Sequence, residues 1–270
     1  MSNVDENKTE NGGKLIFGDG HELMLSSGAT EITKDIYTGT NDVQEIILPE
    51  TVKTIKARSF SWYKNMRAVT LPEGLLTIGE GVFNHCASLK GIALPEGLQE
   101  IGDWAFYACS ALESISIPEP IQKIGEEMFC GSSALKSVSL GKRITGIGSK
   151  AFFQCASLTD IVLPESVLTI GDFVFSECDQ LTSVRIPAQT RIVGNGVFKG
   201  CDRLLSMSFP DSVVSIGDSA FEDCLNLRAV MFGNGIARIA ENIFRNCICL
   251  SYFEMPHSVK TVGNNAFFGC

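Results

Sequence analysis

Aromatic residues other than phenylalanine are scarce in this chain of 270 residues, with two tryptophans and four tyrosines. A core built around indole or phenol rings is therefore excluded. Histidine is scarcer still, and His21, His85 and His257 are all there are. None stands in a nucleophile pattern. His85 immediately precedes Cys86, but a core position for Cys86 would keep its thiol away from any substrate. No run of 18 or more apolar residues occurs, which excludes a transmembrane helix. Basic charge is also in deficit, with 22 Lys and Arg against 31 Asp and Glu and a net charge of −9. That balance argues against nucleic acid, which needs a clustered basic surface, and against direct binding to anionic lipid. It otherwise reads as an ordinary solvated surface.

Motifs for cofactors are missing as well. The 26 glycines include no P-loop and no strand-linked GxGxxG. A zinc site needs ligands paired at short spacing, and Cys247 and Cys249 are the only close pair. The expectation is no cofactor, no metal and no catalytic residue. The opening segment, MSNVDENKTENGG, is polar and acidic without an apolar stretch, so as it stands it is not a secretory signal. Residues 1–13 have the composition of a disordered tail, and the N-x-S/T site Asn7-Lys8-Thr9 lies within it. A cytoplasmic location is expected, with the cell surface as the alternative if the chain is a fragment of a longer protein.

What the chain does contain is a period. Phe60, Phe83, Phe106, Phe129, Phe152, Phe175, Phe198, Phe221, Phe244 and Phe267 are each 23 residues apart. A fixed period of this length marks a stacked repeat architecture. Other columns keep the same register. Cysteine follows at Cys86, Cys109, Cys155, Cys178, Cys201, Cys224, Cys247 and Cys270, then leucine at Leu89, Leu112, Leu135, Leu158 and onward to Leu250. Paired apolar residues such as Ile161 and Leu163 alternate as in a short strand with both side chains inward. Pro164 and its counterparts end that strand, because proline has no N–H for a ladder. A glycine column that includes Gly102, Gly171 and Gly217 predicts a turn that needs an unusual backbone angle or a close approach. The spacing of Ala151, Phe152, Cys155 and Leu158 predicts a single helical or 3₁₀ turn.

One such unit cannot bury its own apolar side, whereas stacked units can. The fold expected is an α/β-type repeat solenoid, with a parallel sheet on one face and short turns or 3₁₀ segments on the other. Residues 14–270 form one domain in this reading. Residues 14–42 make an N-terminal cap and a degenerate first turn, with Tyr37 in the phenylalanine position. Residues 43–270 make about ten repeats of 23 residues, the last incomplete. The stack should measure on the order of 50 Å at a strand spacing of about 4.8 Å. The last unit stops at Cys270 before its leucine and strand, which reads as truncation or as an end covered by a partner or a second copy, so end-to-end self-association is an expected mode.

The columns LxxIxLPxxVxxIGxxAFxxC resemble the BspA-type leucine-rich repeats, and the resemblance runs from His21 to Cys270. It implies a right-handed superhelix with a parallel sheet on one face. It also implies a role in adhesion or other protein binding. The cysteines read as inert core thiols that behave as small hydrophobes, with disulfides between neighbouring turns or a metal as the alternatives. A core of free thiols suits a reducing compartment.

Catalysis is not expected. Active sites are usually built from loops of varied length, and every unit here has the same length. The outward strand face remains. Its middle position reads Ala68, Gly91, Ser114, Ser137, Asp160, Ser183, Ser206, Ala229 and Tyr252, mostly small. Small residues there either let the sheet pack evenly in water or form a shallow track for a partner. Toward the C-terminal end the face becomes apolar and basic through Leu205, Arg228, Met231 and Tyr252, with Arg185 nearby. Exposed Tyr, Met and Arg are enriched at interface cores. The expected function is a non-catalytic protein-binding scaffold with its contact on this patch. A fragment of a surface adhesin and an enzyme with an unrecognised site are the alternatives.

Overall fold

The computed structural model describes residues 12–36 and 42–270. Tyr37 and most of the expected tail, including Asn7-Lys8-Thr9, lie outside the described residues. The rest is a β-solenoid of parallel strands wound around one continuous apolar core. Most turns contribute to two ladders rather than one sheet, and the turn at Gly91 contributes only to the second. The first contains the strand after the leucine column, for example Ser114–Ser116, Ser137–Ser139, Asp160–Ile161, Ser183–Val184, Ser206–Ser208 and Ala229–Met231. The second contains two-residue strands just before the glycine column. Lys123–Ile124, Gly146–Ile147, Thr169–Ile170, Ile192–Val193 and Ser215–Ile216 form one five-stranded parallel sheet. Register follows the period, so Ile124 faces Ile147, Ile147 faces Ile170, and Ile170 faces Val193.

The helical or 3₁₀ turns expected around each phenylalanine are not there. Among the described residues the one 3₁₀ segment is Lys34–Ile36. The phenylalanine segment is instead a run of turns of alternating hand. Residues two before and two after each phenylalanine have positive φ, as at Lys150 (54°) and Gln154 (58°) around Phe152. Alternation sends successive N–H groups in different directions. Asn84 and Cys86 N–H bond to Gly81 and Phe83 within the turn, whereas Gly81, Phe83 and His85 N–H bond to Asp103, Ala105 and Tyr107 of the next turn. A helix would consume these groups internally and remove the backbone bonds between neighbouring turns at this segment. Among the described residues fifteen with positive φ are not glycine, and none of these is β-branched, the side chain least compatible with that region.

The glycine column serves close approach. A Cβ on Gly102 would lie 2.5 Å from the Glu80 nitrogen, and one on Gly171 would lie 2.7 Å from the Ser149 nitrogen. Neither has positive φ. The side chain after this glycine bridges turns: Asp103 Oδ1 accepts from Glu126 N–H at 2.8 Å, Asp172 Oδ1 from Asn195 N–H, and Asn195 Oδ1 from Asp218 N–H.

Inside, the ten phenylalanines from Phe60 to Phe267 stack with ring centroids 5.4 to 5.8 Å apart. The cysteines beside them are more than apolar filler. Cys155 Sγ donates to Phe129 O at 3.2 Å, and Cys109, Cys178, Cys201 and Cys224 repeat the bond one turn back each time. Ser132, which takes the cysteine position in its turn, donates to Phe106 O at 3.0 Å. At the N-terminal edge, Lys14–Phe17 pairs antiparallel with Glu22–Met24 on one side and Val43–Ile47 on the other. That hairpin closes the first ladder, and the Lys14–Glu22 ion pair at 2.7 Å puts charge on its outer edge.

Candidate functional site

The outward strand face is defined by alternation within each short strand. In Ser137–Ser139 the valine is buried and both serines are exposed, and Ser114–Ser116 and Ser206–Ser208 follow the same pattern. Paired strands bring these residues side by side, with Ser114 opposite Ser137 and Ser116 opposite Ser139. The result is a polar floor of hydroxyls. Because Gly91 and Ala93 are short as well, the floor deepens into a groove of about 770 Å³ that reaches Lys142, Asp160 and Val162. Val162 is 81% exposed, the most exposed of the large apolar side chains among the described residues, and it lines the same groove.

The predicted patch lies on the same face, two to four turns further along. Ser206 pairs with Ala229 and Ala229 with Tyr252, while Ser208 pairs with Met231. Met231 and Tyr252 are 55% and 53% exposed, and Leu205 is 49% exposed. Arg228 is exposed at the residue before Ala229, and its carbonyl accepts the N–H groups of Ser251 and Tyr252. Leu205, Arg228, Met231 and Tyr252 therefore share one surface of neighbouring strands. Arg185 stands apart from them, two turns before Met231 in the same column, and is ion-paired with Glu165. Tyr252 hydroxyl bonds Glu254 at 3.1 Å, and this contact raises its pKa. The groove around Gly91 and Val162 was not picked out from the sequence. Its signal is a valine at an outward position where the turns on one side carry Ser116 and Ser139.

Eight of the ten thiols are buried, and Cys249 and Cys270 are exposed. Cys86 is fully buried, its thiol donates to Phe60 O at 3.2 Å, and burial pushes its pKa well up. Burial pushes Cys109 up to about 12. His85 does not address Cys86. Its ring stacks on Trp62 at 3.8 Å, and burial followed by the charge of Lys64 lowers its pKa. His21 stacks on Phe17 at 3.9 Å, and its backbone N–H first, then its ring at 2.5 Å, bond Asp19 and hold that carboxyl below its usual range. Among the described residues no group of three or more His, Cys, Asp or Glu is placed to hold a metal ion. Among the same residues no helix is long and apolar enough to cross a membrane.

Comparison with known proteins agrees with this architecture. A family model described as the BspA type leucine rich repeat region matches in six copies, over residues 30–159 and 145–270. No curated protein sequence matches the chain. Among solved structures, a leucine-rich repeat protein from Bacteroides ovatus is 23% identical with a TM-score of 0.65, covering 91% of this chain. The match spans 63% of the Bacteroides protein's own length. A leucine rich cell surface protein from Faecalibacterium prausnitzii is 24% identical with a TM-score of 0.60, covering 98% of this chain and 86% of that one. A leucine-rich repeat protein of T. pallidum is 24% identical with a TM-score of 0.53, covering 91% of both chains. At these identities the likeness is one of fold. The family match, the ladders of parallel strands and the stacked columns lead to one assignment: the chain belongs to the BspA-type leucine-rich repeat family.

Proposed function

We propose that this chain is a non-catalytic scaffold that binds another protein on its outward strand face. One observation carries the reading: Leu205, Met231 and Tyr252 expose large apolar side chains on three successive turns of one strand face, with Arg228 among them. Aromatic, methionine and arginine side chains of this kind form the desolvated centres of protein interfaces. The buried thiols and the uniform turns favour a scaffold over an enzyme. The test is capture of partners from native lysate and from surface extracts, by wild type and by an Arg228, Met231, Tyr252 triple alanine variant matched in thermal stability. A partner held by wild type and lost by the variant supports the reading. A partner held equally by both moves the contact off this patch.

A second reading places the chain at the cell surface. It is favoured by the Faecalibacterium protein of the same fold, which is described as a cell surface protein. Labelling intact cells with a membrane-impermeant reagent tests it, since only a surface chain is modified before lysis.

A further inference from the structure

The apolar columns are nearly identical from turn to turn. Phe129, Phe152, Phe175, Phe198 and Phe221 stack in the same way, and the backbone ladders are indifferent to sequence. The phenylalanine stack does not tell one turn from the next. The charges do.

Residues 135–157 carry Lys136, Lys142, Arg143 and Lys150 and no acidic residue. Residues 158–180 carry Asp160, Glu165, Asp172, Glu177 and Asp179 and no basic residue. Residues 181–203 return to Arg185, Arg191, Lys199 and Arg203 with one acid, Asp202. Residues 204–226 carry Asp211, Asp218, Glu222 and Asp223 and no base. Residues 227–249 are basic again through Arg228, Arg238 and Arg245, with Glu241. The turn before this series, 112–134, is acidic through Glu113, Glu119, Glu126 and Glu127, with Lys123. The sign of the charge thus alternates from turn to turn over residues 112–249, whereas 66–88 and 89–111 are both net acidic.

Contacts follow the alternation. Lys136 meets Glu113 at 2.8 Å and Lys150 meets Glu127 at 3.3 Å. Arg185 meets Glu165, and Lys199 meets Glu222 at 2.9 Å. Glu222 also faces Arg245 at 3.9 Å, and Asp218 faces Arg238 at 3.6 Å. Each of these pairs joins a basic turn to an adjacent acidic one.

We infer that the alternating charge is a register device, which keeps interchangeable turns stacked in their proper order and disfavours docking one turn out of place. A slip of one turn, within the chain or onto a second copy, sets acid against acid and base against base. Like charges brought to these separations repel, and the effect is screened by salt. Single exposed pairs contribute little to stability, so the effect is one of discrimination summed along the stack.

The test uses full-length variants with unchanged net charge. In the exchange variant, Arg185→Glu and Lys199→Glu are combined with Glu222→Lys and Asp223→Lys. The 199–222 pair is merely reversed, but Arg185→Glu now faces Glu165, and Glu222→Lys faces Arg245. The compensated variant adds Glu165→Lys and Arg245→Glu and restores opposite charges at both of these contacts. The exchange variant should melt about 4 °C or more below wild type at low salt and gain midpoint with added salt. After refolding, hydrogen exchange of peptides from 158–249 should show two populations, one of them with unprotected turns. The compensated variant should return to wild-type midpoint, salt response and single-population exchange. An exchange variant that melts and refolds like wild type overturns the proposal. So does a compensated variant that stays as low as the exchange variant, because the loss would then belong to the individual side chains and not to the match of opposite charges between neighbouring turns.

Discussion

Cys155 occupies the position that Ser132 holds one turn earlier, and both donate to the carbonyl of a phenylalanine in the preceding turn. The column therefore selects a small buried donor, and the recurrence of cysteine in the sequence did not reveal that. Cys155→Ser should change stability by no more than about 1 kcal/mol in thermal unfolding, the size of one net hydrogen bond. Thiol reagents should label Cys249 and Cys270 in the native protein and reach the other cysteines only on unfolding, since the other eight are buried. Alkali should act through the same column. Burial raises Cys109 to about 12 from an ordinary value of 9.0, and raises Cys247 likewise to about 12. These thiols stay protonated in the folded chain while their unfolded counterparts ionise. Stability is thus fully present below pH 9 and falls as pH climbs from 9 toward 12. Denaturant midpoints measured across that window should decline, and less steeply in Cys109→Ser. The residues of positive φ supply another contrast. Ala108 has φ of 53°, so Ala108→Gly should stabilise by about 0.5–1 kcal/mol, opposite in sign to the usual effect of glycine.

At the scale of the turn, much was legible. The Phe, Leu and Pro columns name the core and the first strand, because burial demands apolar side chains at fixed spacing. Phe152 stacks between Phe129 and Phe175 at 5.4 and 5.5 Å, fully buried. Phe152→Ala should cost about 3–5 kcal/mol in chemical unfolding, given its burial on all sides. Two features were not legible. Strands as short as Thr169–Ile170 place one residue inward, so they have no alternation to read. The turns of alternating hand carry Arg58, Trp62, His85, Trp104 and Phe173 at the positive-φ positions, and side chains this diverse hide a backbone requirement. Spacings of three and four residues there were read as helical, when they arise from i to i+3 turn bonds that are interrupted by bonds to the next turn.

Across the whole molecule, the repeat announced a single stacked body, and the exposed residues Leu205, Arg228, Met231 and Tyr252 could be placed on one face by counting. The groove by Val162 could not, since it depends on what Gly91 and Ala93 leave empty over several strands. The thiol bond, finally, has a direction. Each cysteine of the column reaches back to the turn before its own, so a turn is completed only by its successor. A chain made on the ribosome emerges N-terminus first, with the hairpin Lys14–Met24 as its starting edge. Every stretch of 23 residues that follows finds a finished surface waiting and, in settling on it, seals the one beneath. The solenoid can be laid down in the order in which it is translated, course upon course, without waiting for its far end.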